Sequence, residues 1–295
     1  MLETRDRTAG TAVRARLPDG RWHFQHGPID LIIGADGDAA AVDAASERAW
    51  VRFQTVLSEL VGELRWLRSP VEEAASVRGP VARRMVEACW PHRKQFITPM
   101  AAVAGGVADE LIGFFSDEPG VTRAYVNNGG DISLHLAPGQ CYRVGLYADL
   151  GRIKRREGSA LDGDLEVTGE MRVRGVATSG WHGRSFSLGI ADSVTVLAAT
   201  AAQADAAATM IANEVSVDDV TIVRKPACEL KDDTDLGERL VTVDVGRLPE
   251  HKIAEALERG AVHARRLCEL GIVEGSVLWL QGNVRVVGSA QLPSV

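Results

Sequence analysis

The sequence predicts an α+β fold in which antiparallel sheets are flanked by helices. Helical and strand patterns follow one another irregularly, without the strict strand–helix alternation of a doubly wound parallel sheet. The last strong pattern, SVLWLQGNVRVVG, is typical of a β-hairpin with Gly282-Asn283 in its turn. Because no Pro/Ser-rich linker and no short repeat divides the 295 residues, a single domain over residues 1–295 is expected.

The first half of the chain is expected to combine two strands with three helices. Apolar residues recur at helical spacing from Trp50 to Leu64, which predicts a long amphipathic helix. Pro99 suits the first position of the third helix. Gly105 and Gly106 in its middle each cost about 1 kcal/mol relative to alanine, so a bare backbone is expected to be required there. The strands are predicted at 21–25 and 29–34, and the helices at 43–67, 81–89 and 99–115.

The second half is expected to hold more strands and two further helices. Lys154-Arg155-Arg156 marks a solvated loop, since a nucleic-acid patch would be interleaved with aromatic residues. Strands are predicted at 121–126, 132–136, 142–147 and 172–178 and within 185–198, the loop at 151–166, the helices at 203–215 and 250–270, and the final hairpin at 276–288.

Charge and composition exclude several classes of function. The 33 Lys and Arg against 40 Asp and Glu leave a net charge of −7, which argues against a dedicated nucleic-acid binder. The apolar runs are far shorter than the roughly 20 residues of a membrane span, and no signal-peptide pattern opens the chain. The four cysteines form no C-x-x-C pair. We therefore expect a cytoplasmic protein that has no nucleic-acid or membrane partner. The edge of the last hairpin could pair with a second copy of the chain, which would make the protein a homo-oligomer.

A first polar cluster, Asn127-Asn128-Gly129-Gly130-Asp131, lies between two apolar runs. Asn-Gly is the preferred chemistry of a type I′ hairpin turn, which is one interpretation. The other is a binding site, because glycines without a Cβ let a ligand reach the main-chain N–H groups while the Asn and Asp side chains orient it.

A second cluster follows a predicted strand at residues 177–185, ATSGWHGRS. It reads as a polar loop whose hydroxyls satisfy local backbone groups, or as a site. In a site, Thr178 and Ser179 would meet a phosphate or substrate oxygen and Arg184 would pair with its charge. His182 would serve as an acid or base, because an imidazole titrates near neutral pH.

A third cluster places Asp205 and Thr209 four residues apart in an Ala-rich helix. Residues at that spacing share a helix face, so the carboxylate and the hydroxyl can address one point. Two hard oxygen ligands are a partial shell for Mg²⁺. The alternative is chance, with the Thr hydroxyl bonded back to its own helix.

The order of these clusters is more specific than any one of them. NNGGD after a strand, then ATSG, then ADAAAT on a helix resembles the ApbE-like superfamily, whose best-known members are FAD:protein FMN transferases. SERAWVRFQTVLSEL and MAAVAGGVADEL are similar to two further helices of that family, so the resemblance runs over about residues 44–215. It implies an α+β domain of two intertwined halves with a ligand in a central cleft.

The resemblance also implies roles for individual residues. It makes Asp205 and Thr209 ligands of Mg²⁺, together with a main-chain carbonyl near Ala102 or Val103. It places Asn128, Gly129, Gly130 and Asp131 along the pocket for FAD or FMN. It places Thr178, Ser179 and Gly180 beside the phosphate or ribityl portion of that ligand.

Two departures from the transferase pattern bear on the activity. Ala104 stands where the transferases have the Lys of a Lys-Gly pair, and the segment after ATSG lacks their His-Ile-Ile-Asp-Pro stretch. Three functions stay open: Mg²⁺-dependent FMN transfer to an acceptor protein, flavin binding without catalysis, and hydrolysis or isomerisation of a small heterocyclic or carboxylated metabolite. In the last, the catalytic residues would be His182, Ser179 and Arg184.

Overall fold

The computed structural model describes residues 10–74, 76–148 and 162–288. These residues form two compact units that are interleaved along the chain. Unit 1 comprises Met1–Cys141, Thr168–Glu170 and Thr200–Ala202, and unit 2 comprises Tyr142–Val167, Met171–Ala199 and Gln203–Val295. The expectation of a single domain stays a prediction.

Unit 1 is built on five antiparallel strands in the order β1-β2-β3-β4-β5 and on the helices that follow β3. The strands are β1 Val13–Arg16, β2 Trp22–His26, β3 Ile29–Gly37, β4 Val121–Asn128 and β5 Asp131–Leu136. The helices are α1 Ala39–Gly62, α2 Leu64–Leu67, α3 Pro80–Cys89 and α4 Val103–Ser116, with 3₁₀ turns at Val71–Glu73, Trp90–His92 and Pro99–Ala102.

The long first helix starts earlier than the sequence predicted and is broken near its end. Asp38 caps its N-terminus, because the side chain accepts a hydrogen bond from the N–H of Ala41 at 3.0 Å. The break lies at Glu63, whose backbone leaves helical geometry at φ −111° and ψ 7°. The Glu63 carboxylate accepts hydrogen bonds from the N–H groups of Arg78 and Gly79, just before α3. The Glu63 side chain thus connects the end of α1 to the start of α3.

Unit 2 contains a four-stranded antiparallel sheet in the order β8-β9-β12-β13, and two smaller two-stranded sheets. The strands are β6 Cys141–Leu146, β7 Gly163–Thr168, β8 Gly175–Ser179, β9 Ser193–Ala198, β10 Ile222–Pro226, β11 Leu240–Val245, β12 Gly275–Leu280 and β13 Asn283–Gly288. The helices are α5 Ala201–Glu214, whose first two residues belong to unit 1, α6 Ala227–Leu230 and α7 Glu250–Glu269.

The core of unit 2 is packed with small apolar side chains. Alanines and valines of β8, β9, α5 and α7 form one buried cluster, in which Ile211 and Leu257 are among the largest members. All six residues of β9 are buried, as is typical of a strand that is covered on both faces. The abundance of small residues therefore has a structural meaning, since helices and sheet approach closely where side chains are short.

The predicted α+β class with antiparallel sheets is confirmed, and so are the helices near 81–89, 203–215 and 250–270 and the final hairpin. Two local predictions were wrong, and one pair of strands was missed. Residues 163–166 belong to β7, not to a loop, and the rest of that predicted loop up to residue 161 lies outside the described residues. Only 193–198 of the predicted strand-like stretch 185–198 form a strand. The pair β10–β11, with α6 between its strands, was not predicted.

The helices of the described residues include no candidate for a membrane span. Within residues 10–74, 76–148 and 162–288, none of the helices combines the length and the apolar character that a bilayer crossing requires.

Candidate functional site

The connection between β8 and β9 carries most of the predicted catalytic residues. The two strands pair antiparallel, with Thr178 opposite Thr195, and residues 180–192 join them. At the base of this loop the N–H of Trp181 donates to the carbonyl of Ala191 at 3.0 Å. A Cβ on Gly180 would lie 2.5 Å from the carbonyl oxygen of Asp192, so only glycine lets the two ends of the loop close.

The far end of the same loop is held against helix α5. The N–H of Leu188 donates to the side-chain oxygen of Asn213 at 3.0 Å, and the N–H of Ile190 donates to the carbonyl of Val215 at 2.8 Å. On the other side, the carbonyl of Ser187 accepts from the N–H of Thr242 at 2.9 Å. The loop is therefore a fixed element of unit 2, as loops that present functional groups generally are.

Thr178, Ser179, His182 and Arg184 are distributed over the end of β8 and the first turn of this loop. The hydroxyls of Thr178 and Thr195 lie 2.9 Å apart across the strand pair. The His182 ring stacks on that of Trp181, with ring centroids 3.6 Å apart and planes inclined by 33°. Thr178, Ser179 and His182 are half-buried and Arg184 is exposed, so the segment offers hydroxyls, an imidazole and a cation at a partly accessible surface.

Helix α5 presents Asp205 and Thr209 as the sequence predicted, one turn apart. Most residues of this helix are buried, whereas Asp205, Thr209 and Asn213 are only half-buried and follow one another at four-residue spacing. We call these three residues the polar stripe of α5. Asn213 binds the loop main chain at Leu188, and Asp205 and Thr209 are the two residues of the stripe that the sequence predicted as metal ligands.

Asn128, Gly129, Gly130 and Asp131 form the turn of the β4–β5 hairpin in unit 1. Asn128 pairs with Asp131, and the two glycines between them have φ values of 68° and 117°. The sequence interpretation as a hairpin turn is thereby confirmed. The side-chain oxygen of Asn127 accepts from the N–H of Gly130 at 2.8 Å. A Cβ on Gly130 would meet nothing within 4 Å, so the exposed turn leaves room beside its backbone.

The buried Asn128 side chain points back into unit 1. Its Nδ2 donates to the carbonyl of Ala104 at 3.2 Å, at the position where the transferases have the Lys of Lys-Gly. The hairpin turn is therefore tied to the start of α4.

Gly105 needs a bare backbone for packing, whereas a Cβ on Gly106 would approach a flexible side chain most closely. A Cβ on Gly105 would lie 2.3 Å from the carbonyl oxygen of Ala201, at the start of α5, and one on Gly106 would lie 3.1 Å from the Met85 side chain. The sequence predicted that a bare backbone is required at these glycines, without showing what would exclude a side chain. At Gly105 the excluding group is the neighbouring backbone of Ala201.

Asp109, one turn after Gly105, caps the N-terminus of α5 and was missed by sequence reasoning. Its carboxylate accepts hydrogen bonds from the N–H groups of Ala201 and Ala202 at 3.0 and 2.8 Å, and from the hydroxyl of Ser133 at 2.7 Å. Burial raises the pKa of Asp109, against the effect of these donors. The available signal was the presence of carboxylates, Asp109 and the adjacent Glu110, within the otherwise apolar run AAVAGGVADELIGFF.

The predicted site residues are divided between the two units. Asn128, Gly129, Gly130 and Asp131 belong to unit 1, and Thr178, Ser179, Gly180, His182, Arg184, Asp205 and Thr209 belong to unit 2. The part of the chain that the structure describes contains no cluster of three or more His, Cys, Asp or Glu side chains arranged to bind a metal. Any metal there would take at most two ligands from such side chains and the others from hydroxyl, carbonyl or ligand oxygens.

A separate cleft of about 510 Å³ in unit 2 holds none of the predicted residues. It lies beside the hairpin turn between β12 and β13 and the start of α7, and is lined by Arg247, Leu248, Glu250, Ile253, Gln281 and Asn283. Gln281 in its wall also contacts Asp192 at the base of the β8–β9 loop.

Comparison with known proteins finds UPF0280 proteins among the similar sequences and an ApbE protein among the similar solved structures. The UPF0280 protein of Methanosarcina acetivorans is 32% identical over 222 residues, covering 74% of this chain and 80% of that protein. The UPF0280 protein of Methanopyrus kandleri is 39% identical over 154 residues, covering 52% of this chain and only 56% of the relative. The solved ApbE protein of Thermotoga maritima is 12% identical, covers 94% of this chain and 96% of that chain, and has a TM-score of 0.44.

A family model described as "AbpE bacteria" matches residues 14–286, which is nearly the whole chain. The match includes the β4–β5 hairpin, the β8–β9 loop and helix α5, the three elements that carry the predicted site. This chain therefore belongs to the AbpE bacteria family, within the ApbE-like superfamily.

Proposed function

We propose that this protein binds a flavin nucleotide with the help of Mg²⁺ and uses it in flavin-linked transfer to an acceptor protein. The observation that carries the proposal is the polar stripe of α5, where the half-buried Asp205 and Thr209 offer two oxygen-bearing side chains one turn apart on a mostly buried helix. Family membership supports it, because the resemblance assigns this pair to the metal.

The donor set fits Mg²⁺. A carboxylate and a hydroxyl are hard oxygen ligands, and Mg²⁺ usually completes its shell with waters or with substrate phosphates. The chain also leaves helical geometry at Ala102, with φ −127° and ψ 17°, where the resemblance places a third, main-chain ligand. When bound, the metal would offset the charge that develops on the phosphate oxygens of a nucleotide.

The protein's own residues would orient the ligand. In this proposal the backbone of the Gly129-Gly130 turn approaches the nucleotide on the side where a Cβ on Gly130 would meet nothing within 4 Å, while the Gly130 N–H itself stays bonded to Asn127. Thr178 and Ser179 at the end of β8 donate hydroxyl hydrogen bonds to its phosphate or ribityl oxygens. With a net charge of −7 and Ala104 in place of the transferase Lys, the exposed Arg184 supplies the nearby positive charge.

The proposal is tested by adding FAD to the purified full-length chain with and without Mg²⁺. We expect a Mg²⁺-dependent rise in melting temperature, because a ligand at a hundred times its Kd stabilises the folded state by about 2.7 kcal/mol. A melting temperature that is unchanged by FAD in the presence of Mg²⁺ would show that the protein does not bind this nucleotide.

The metal ligands are tested by Asp205→Asn, with Asp244→Asn as the matched control. Asp244 is an exposed residue of β11 in the same unit. We expect Asp205→Asn to abolish the Mg²⁺-dependent part of the FAD effect, because the amide loses the negative charge that attracts the cation. The control should respond like the natural protein. An unchanged response of Asp205→Asn would remove this residue from the metal site.

Transfer is separated from binding by offering an acceptor. Incubation with FAD, Mg²⁺ and extracts containing candidate acceptor proteins should yield a protein-linked flavin that fluoresces in a denaturing gel. Tight FAD binding without such a product would identify a non-catalytic flavin-binding module instead.

A second candidate function is hydrolysis or isomerisation of a small heterocyclic or carboxylated metabolite. It is favoured by the gathering of Ser179, His182 and Arg184 on one fixed loop of unit 2. Here Arg184 would bind a substrate anion and His182 would move a proton. Screening small carboxylated heterocycles for turnover tests it, and a substrate that His182→Ala converts as fast as the natural protein would exclude this role for the imidazole.

A further inference from the structure

We propose that Asp192 and Gln281 are positioning residues that hold the Trp181 indole and, through the stacked rings, the His182 imidazole. The inference rests on the proposed function only in treating His182 as part of a site. The contacts that carry it all lie within unit 2.

The Asp192 carboxylate joins two separate elements of the unit. Its Oδ1 accepts a hydrogen bond from the indole Nε1 of Trp181 at 3.3 Å, and its Oδ2 accepts one from the main-chain N–H of Gln281 at 2.5 Å. The backbone of Asp192 is fixed as well, because its N–H donates to the carbonyl of Trp279 at 3.0 Å. The carboxylate therefore ties the β8–β9 loop to the turn between β12 and β13.

Gln281 adopts a backbone conformation that glycine normally supplies. Its φ is 45°, and no other non-glycine residue in the described part of the chain has a positive φ. An L-residue with a Cβ is disfavoured there, and glutamine lacks the short side chain that makes asparagine tolerable. Such strained residues persist only where their surroundings determine the conformation, and they are concentrated at functional sites.

The side chain of Gln281 explains why a glycine does not suffice. Its Oε1 accepts from the N–H of Leu248 at 3.0 Å, and its Nε2 donates to the carbonyl of Gly246 at 2.8 Å. Both ends of the amide are thus bonded to the chain segment before α7. These two bonds hold the turn in place, so that its N–H reaches Asp192.

The last link is the ring stack. With centroids 3.6 Å apart, the imidazole of His182 lies against the face of the indole. An indole fixed at its N–H end limits the orientations that the neighbouring imidazole can adopt. Side chains that bind or transfer protons act well only when packing and hydrogen bonds hold their rotamers. Asp192 and Gln281 supply that support from outside the site.

The test uses nuclear magnetic resonance of the free, full-length protein with ¹⁵N-labelled tryptophan and histidine. Asp192→Ala removes the acceptor of the indole N–H. We expect the Trp181 indole signal to move and the His182 ring signals to shift or broaden. Asp192→Asn keeps one acceptor oxygen where the carboxylate serves two donors, so it should restore the His182 signals only in part. Asp244→Asn serves as the control and should leave them in place.

Trp181→Phe keeps the experiment decisive if Asp192→Ala does not fold. It retains an aromatic ring but removes the indole N–H, so we again expect altered His182 signals. Gln281→Gly, which relieves the backbone strain and deletes the amide, should move them in the same direction. His182 signals that are unchanged in the folded variants among these would overturn the proposal.

A parallel FAD titration with Mg²⁺ separates this proposal from the proposed function. If the natural protein binds FAD, we expect Asp192→Ala to weaken that binding about tenfold. A variant that has shifted His182 signals but the natural affinity for FAD would exclude a role of Asp192 and Gln281 in ligand binding. If the natural protein does not bind FAD, the proposed function fails, whereas the His182 signals still decide the positioning role.

Discussion

Two pairs of adjacent glycines in unit 1 look alike in the sequence and do opposite work in the structure. Gly105-Gly106 lies inside helix α4, buried against neighbouring backbone and side chains. Gly129-Gly130 forms an exposed hairpin turn, with positive φ at both residues and open space around Gly130. In the first pair Gly105 is required because a Cβ would clash with neighbouring backbone, whereas in the second pair glycine is favoured by the backbone conformation.

This difference teaches where a ligand can meet bare backbone. The approach at Gly105 is already occupied by Ala201, and the nearest N–H groups of α5 are capped by Asp109. The start of α5 therefore has no main-chain donors left for an anion at Ala201 and Ala202. The Gly129-Gly130 turn keeps its accessible side, so among the two pairs it is the candidate for contact with a nucleotide.

The largest effect is expected from Gly105→Ala. Its Cβ would lie 2.3 Å from the carbonyl oxygen of Ala201, and backbone cannot move aside as a side chain can. We expect a loss of about 3 kcal/mol in the free energy of unfolding, as for severe overpacking. Gly106→Ala is the matched control, because its Cβ meets the flexible Met85 side chain and alanine favours the helix. Equal losses in urea unfolding for both variants would contradict the packing explanation.

Asp109→Asn is expected to cost about 2 kcal/mol. The amide offers one acceptor oxygen where the carboxylate serves three donors, so a buried N–H at the start of α5 loses its partner. Ser133→Ala removes one of the donors and should cost less. Thermal unfolding of the two variants measures the difference in stability. An Asp109→Asn variant that is as stable as the natural protein would show that the cap does not stabilise this contact.

Gly130→Ala is expected to cost only about 1 kcal/mol, since the turn has room for a Cβ and the penalty is one of conformation. Gly129→Asn should be milder, because asparagine tolerates φ near 68°. If FAD binds, Gly130→Ala should weaken it more than its stability loss suggests, which calorimetric titration measures. An unchanged affinity would remove this turn from the ligand site and leave both glycine pairs purely structural.

The smallest effect concerns the other end of α5. Burial lowers the pKa of His263 below 6.5, and the nearby Glu214 only partly opposes this. Because the unfolded chain then takes up its proton more readily, the stability that His263 contributes is complete above pH 6.5 and is lost as the pH falls through its folded-state pKa. The change should stay under about 1 kcal/mol, since the ring is half-buried.

His263→Gln removes this titration. The difference in unfolding free energy between the variant and the natural protein should therefore change between pH 7.5 and 5, with the natural protein losing more on acidification. Parallel curves over that range would exclude His263 as a source of acid sensitivity. Comparison with Gly105→Ala and Asp109→Asn also shows whether α5 is held more firmly at its N-terminus, where Ala201 and Ala202 contact Gly105 and Asp109.

The local sequence pattern predicted most of the helices and strands. It failed where contacts between residues distant in the sequence determine the local structure. The period of the apolar residues was sufficient for α3, α5 and α7, and Gly282-Asn283 was sufficient for the last hairpin. It could not show that α1 breaks at Glu63, since that break is associated with a carboxylate bonded to residues far along the chain. Nor could it separate the β8–β9 loop from strand, because residues 185–192 are held by contacts to α5 and β11.

By itself the sequence determined the fold class, the hairpin at Asn128–Asp131 and the shared helix face of Asp205 and Thr209, because these depend on turn chemistry and on the helical repeat. It also carried the resemblance to the ApbE-like superfamily. Only the tertiary structure decided that Gly105 serves packing, that Asp109 caps α5, and that Asp192 and Gln281 reach Trp181. Those contacts join residues distant in the chain, and no local preference encodes which of them will meet.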